Sequence, residues 1–146
     1  MYSFEDRIQW IRDNAEFLAS HGTVAGIIIE MIAATQPGRE FVNGNGYDYL
    51  CETYNKVEAK STVCPQGKYL RIQNFQSKRG KFDYMHVIDG VNNREFFIPH
   101  DDWFDHIGNE NGEFHWSVSY NLTDKVRVDN TAFLIKYETR IGNNNV

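Results

Sequence analysis

A chain of 146 residues is enough for one domain that buries about two-thirds of its unfolded surface, and 41% apolar with 14% aromatic residues excludes a disordered segment. The longest apolar run, Val24 to Ala34, is too short to cross a bilayer and carries Glu30 in its middle, while Glu5 and Asp6 make the start unlike a secretory signal. The net charge of −5 counts against a nucleic-acid partner until its distribution is read: between 56 and 82, Lys56, Lys60, Lys68, Arg71, Lys78, Arg79 and Lys81 face Glu58 alone, a local +6 that leaves −11 for the rest.

Phe4, Ile8, Ile11, Ala15 and Leu18 recur at helical spacing and predict a helix over 4–19, broken by Ser20-His21-Gly22. Thr23 is a candidate cap for a second helix over 24–35, which stops before Pro37. Residues 47–54 and 56–63 read as two strands around Asn55, and Pro65-Gln66-Gly67 turns the chain into a third over 68–75. A loop over 77–81 leads to strands at 84–89 and 95–98, the second ended by Pro99. Asp101 is a candidate cap for a short helix to Ile107, 114–120 alternates like a strand, and Asn130 is a candidate cap for a last helix over 131–140. Residues 142–146 read as a loose tail. One α/β domain, a central mixed sheet flanked by helices, is the simplest fold class. Cys51 and Cys64 show neither metal nor redox spacing and read as reduced thiols of a cytoplasmic protein.

The chemistry centres on three residues. Strand side chains alternate between faces, so Glu58 and Lys60 share one face while Val57 and Ala59 take the other. Asp48, flanked by Tyr47 and Tyr49, points opposite to both. If the two strands form a hairpin, Asp48 and Glu58 approach at one end of the sheet. Two close carboxylates repel unless a cation lies between them, and oxygen donors suit magnesium or manganese. A lysine two residues along can hold a water and offset charge on a phosphorane-like state. The competing reading is a surface strand with alternating charge, because E-x-K is a common tripeptide.

Asp48, nine intervening residues and then Glu58-Ala59-Lys60, in strand context behind a helix, resemble the PD-(D/E)XK nuclease superfamily. The resemblance covers about residues 23 to 100; Tyr47 stands where the superfamily's usual proline precedes the first aspartate. It implies a restriction-endonuclease-like core, with N-terminal helices over 4–35, the catalytic sheet over about 41–100 and a C-terminal strand and helix over 101–141. It implies magnesium, with manganese as a substitute, held by Asp48, Glu58 and the Ala59 backbone carbonyl. Lys60 is the implied water-positioning group. Glu30 resembles the metal-binding or metal-tuning glutamate that many members carry on the preceding helix; the alternative is a carboxylate paired with Arg39 or Lys60. Gln73, or else Arg71, is the candidate for a polar side chain facing the scissile phosphate, against a plain edge strand.

Lys78, Arg79 and Lys81, with Arg71, are the candidate contacts to backbone phosphates. The implied activity is hydrolysis of phosphodiester bonds in DNA, with RNA an open alternative, by a homodimer whose two sites address two strands. The opposing reading is an inactive nuclease-like domain that binds nucleic acid or protein. His100, Asp101, Asp102, Asp105 and His106 could hold a metal, but acids at a helix start have a structural explanation. His86, inside an apolar strand, reads as a core histidine.

Overall fold

The computed structural model describes residues 3–19, 24–42, 46–63, 70–108, 113–116 and 129–140. Helix α1 (Phe4–Asp13) begins with a reciprocal cap in which Ser3 Oγ accepts from the Asp6 N–H and Asp6 accepts from the Ser3 N–H. The helix expected over 4–19 is broken at Asn14, whose side-chain amide donates to the Trp10 carbonyl and competes with the backbone ladder, and α2 (Ala15–Ala19) follows. The helix α3 (Val24–Ala34) matches the expected 24–35. Its expected cap, Thr23, lies outside the described residues.

Strands β1 (Arg39–Phe41), β2 (Tyr49–Cys51) and β3 (Asn55–Thr62) come next, then β4 (Leu70–Gln73) and a 3-10 turn (Gln76–Lys78). β5 (Tyr84–Asp89) and β6 (Arg94–Pro99) lead into α4 (His100–Ile107), followed by β7 (Glu113–Trp116), α5 (Thr131–Ile135) and β8 (Glu138–Arg140). Six strands form one mixed sheet in the order β1-β2-β3-β5-β6-β8, with β3 and β5 parallel and the other neighbours antiparallel. β4 and β7 make a separate antiparallel pair.

The alternation along β3, β5 and β6 assigns a different cover to each face. On one, Val63 and Ile88 pack with Ile8, Ile11, Ala25, Ile29 and Ala33 from α1 and α3. On the other, Met85, Val87, Phe96 and Ile98 meet α4, α5 and the β4–β7 pair through Trp103, Phe104, Leu134, Ile72 and Trp116. The protein is therefore mixed α/β, with a central mixed sheet flanked by helices. Among the described residues, no helix is long and apolar enough to cross a membrane.

Three further expectations are corrected. The helix over 131–140 ends at Ile135, because Glu138–Arg140 adds to the edge of β6, where Arg94 grips the Glu138 carboxylate at 2.7 and 3.0 Å. Asp101 is not the cap of α4: Pro99 takes that position, and the Asp101 carboxylate lies 2.8 Å from His100 Nδ1. The strand over 47–54 contracts to β2, because residues 52–54 turn the chain and Asn55 takes a left-handed backbone at φ 60°.

The contraction of β2 shapes the site. Tyr49 pairs with Val57, where β2 begins, while β3 runs on to Thr62 alongside β5. Among the described residues, no strand pairs with 58–62 on the β2 side, so that stretch of β3 has an open edge.

Candidate active site

Gly46, with φ at 87°, turns the chain toward this edge, and Lys81 lies across it so closely that a Cβ there would stand 2.5 Å from Lys81 Cδ. The Asp48 N–H then donates to the Val57 carbonyl at 2.8 Å, fixing the entry to β2. Asp48 Oδ2 accepts the Ala59 N–H at 2.7 Å, taking the place of a strand neighbour. A strand residue directs its N–H and C=O to the same side, so the Ala59 carbonyl faces the same edge as Asp48. A hydrogen bond from the Ser61 backbone reaches Glu30 on α3. The same helix contacts β3 through Ser61 Oγ, which donates to the Gly26 carbonyl at 3.1 Å. Two carboxylates thus satisfy alternate N–H groups of one open edge.

Glu58 and Lys60 share a face, as alternation predicts. Glu58 is 2% exposed, its Oε1 is 3.6 Å from Lys60 Nζ, and its Oε2 is buried without a hydrogen-bond partner. Burial pushes the Glu58 carboxyl up to about 7; Asp48 adds to the rise, while Lys60 and Lys78 oppose it. Burial likewise pushes Glu30 up to about 8, opposed by Lys60 and reinforced by Asp48 and Glu58. Burial and the mutual repulsion of the acids thus both favour the protonated forms of Glu30 and Glu58. Among the described residues, no group of three His, Cys, Asp or Glu side chains is arranged to hold a metal ion. The set implied by the resemblance, Asp48, Glu58 and the Ala59 carbonyl with Glu30 binding or tuning, consists of oxygen donors only, a chemistry that suits a hard divalent cation. The orphaned Glu58 Oε2 and the crowded acids are what such a cation would relieve.

The other expected residues are dispersed. Arg71 and Gln73 share a face of β4, outside the main sheet. With the Gln73 amide oxygen turned toward the guanidinium, its separations from the three Arg71 nitrogens are 3.0–3.2 Å. Lys78 lies near enough to act on Glu58, whereas Arg79 is tied to α4: its guanidinium is 4.2 Å from the Phe104 ring centroid and donates to the Gly108 carbonyl at 2.8 Å. Arg39 donates to the Ala33 carbonyl at 2.8 Å. His86, His100 and His106 each have neighbours within the fold: Tyr49 Oη for His86, the Gly80 N–H for His100 and Asn130 for His106.

Two features of the site escape local pattern reading. The Asp48 bond to the Ala59 N–H depends on where β2 stops. The Tyr49–His86 contact joins residues 37 positions apart. The alternation that buries Tyr49 beside Asp48 was the available signal for the second. Compared with protein-family models, curated proteins and solved structures, the chain matches none.

Proposed function

We propose that the chain is a divalent-metal-dependent nuclease of the PD-(D/E)XK type, with a restriction-endonuclease-like core, that hydrolyses phosphodiester bonds in DNA. The observation that carries this reading is the meeting of Asp48, Glu58, Lys60 and Glu30 along the open edge of β3, with the Ala59 carbonyl facing the same way. Asp48, Glu58 and that carbonyl would hold magnesium or manganese, and Glu30 would tune the charge around them. When bound, the cation polarises the phosphoryl oxygen and lowers the pKa of a water.

Lys60 keeps its ammonium at the mouth of this acidic site, its side chain 17% exposed. There it orients the attacking water and offsets charge as the P–O bond to the leaving strand breaks. Lys78 and Lys81 extend positive charge from the site toward the flanking phosphates. Trp10, Phe17, Ile27 and Met31 of the helical layer are large apolar side chains left exposed, and such side chains are what a second copy of the chain would cover in a homodimer.

Incubating the protein with plasmid, single-stranded DNA and RNA, in magnesium and in chelator, tests the reading. Metal-dependent cleavage of DNA is expected. Tight binding of DNA without cleavage in magnesium or manganese overturns the enzyme and leaves a nuclease-like binding domain.

A further inference from the structure

Behind the sheet, on the face opposite Glu58 and Lys60, lies a polar network that the proposed chemistry does not use. Tyr49, fully buried, extends from β2 beneath β3 so that its hydroxyl lies 2.8 Å from His86 Nδ1 on β5. His86 is also fully buried, stacked on Phe97 with ring centroids 4.1 Å apart and planes 16° from parallel. Its Nε2 stands 3.5 Å from Glu95 Oε2, close enough for attraction and too long for a full hydrogen bond. With the ring proton on Nε2, the nitrogen that faces Glu95, Nδ1 accepts from the tyrosine O–H. On the outer side, the Arg39 guanidinium lies 4.9 Å from the Tyr49 ring centroid and 5.8 Å from that of Phe97. The same guanidinium donates to Ala33 in the last turn of α3, the helix that carries Glu30.

A three-residue strand needs such an anchor. β2 pairs with β3 only from Tyr49 to Cys51, and Asp48 lies just beyond that pairing, with its peptide joined directly to Tyr49. A swing of Tyr49 would carry Asp48 away from the Ala59 N–H. We propose that Tyr49, His86 and Arg39 form a positioning network that fixes Asp48, and through Arg39 the helix of Glu30, at the open edge of β3. The inference rests on the reading of that edge as the metal site. Tyr49, His86 and Arg39 touch neither the expected cation nor substrate, so they are positioning residues.

The test uses the full chain, with Tyr49→Phe, which removes one oxygen and keeps the ring, and Arg39→Lys, which keeps the charge and loses the planar stack. Hydrogen exchange at the Ala59 amide reports the Asp48 bond directly, and manganese calorimetry reports the site. In Tyr49→Phe, loss of a buried hydrogen bond should speed Ala59 exchange about tenfold and weaken manganese about tenfold, with the amides of Val87 and Phe96 unchanged. Arg39→Lys should act in the same direction on both readouts. Unchanged Ala59 exchange in both variants overturns the proposal. Equal acceleration at Ala59, Val87 and Phe96 also overturns it, because the network would then support only global stability. Selective loosening of Ala59 in a protein whose wild type binds no manganese upholds the positioning role and removes the metal site instead.

Discussion

The buried Glu58 carboxyl ties stability to pH in a direction that an ordinary surface acid does not. Its folded-state pKa is raised from 4.5 to about 7, first by burial and then by Asp48. Between those values the folded chain holds a proton that the unfolded chain has released, so stability falls as pH rises. The penalty is absent below about 4.5 and complete above about 7. One pKa unit corresponds to about 1.36 kcal/mol, so Glu58 alone costs about 3 kcal/mol at pH 8. Glu58→Gln keeps the shape and cannot ionise. The assay is denaturant unfolding of wild type and Glu58→Gln in chelator at pH 4 and pH 8. The variant should gain about 3 kcal/mol relative to wild type between the two pH values. Manganese at about 100 times its Kd should restore about 2.7 kcal/mol to wild type at pH 8 and nothing comparable to the variant. An identical difference between the two proteins at both pH values would refute the reasoning, because Glu58 would then be ionised as freely in the fold as outside it.

Further outcomes concern the cation, the polymer and the assembly. Asp48→Ala should abolish manganese binding by calorimetry, whereas Glu30→Gln, which alters the surrounding charge, should weaken it about ten- to hundredfold; wild-type affinity in both would remove the site. Neutralising Lys78 and Lys81 should flatten the salt dependence of duplex binding by about 1.8, at about 0.9 per phosphate contact. Arg79→Ala should leave that slope unchanged and lower the melting temperature instead, because its guanidinium lies on Phe104 and the Gly108 carbonyl. Ile27→Asp, which charges an exposed apolar side chain on α3, should convert a dimer to a monomer in sedimentation, and an unchanged mass would move the interface elsewhere.

Local rules read some of this protein well. β5 matches the expected 84–89 because a β-rich run ends at Asp89, whose carboxylate accepts from the Val91 and Asn92 N–H groups and closes the turn. Glu58 and Lys60 share their expected face because period-two alternation is a backbone property. β1 went unread because Arg39-Glu40-Phe41 has no pattern of its own and becomes a strand only by pairing with β2. Helical spacing after Ile135 lost to the free edge of β6 in the same way. Arg79 sits in a basic loop by sequence, yet its place is decided by Phe104 from a distant helix. The open edge of β3 needed the true end of β2, which residue types alone did not mark.

Lys60 separates catalysis from binding most directly. It contributes no metal ligand, so Lys60→Ala should retain near-normal manganese affinity while losing a group that orients water and offsets developing charge. That loss is expected to cost about 2.7–4 kcal/mol, or about a hundred- to a thousandfold in the rate of DNA cleavage. Cleavage in magnesium and manganese calorimetry, measured on the same preparations of wild type and Lys60→Ala, give both quantities. A large fall in rate with metal affinity preserved is the expected result; cleavage at the wild-type rate by Lys60→Ala would contradict the assignment of the active site to this edge of the sheet.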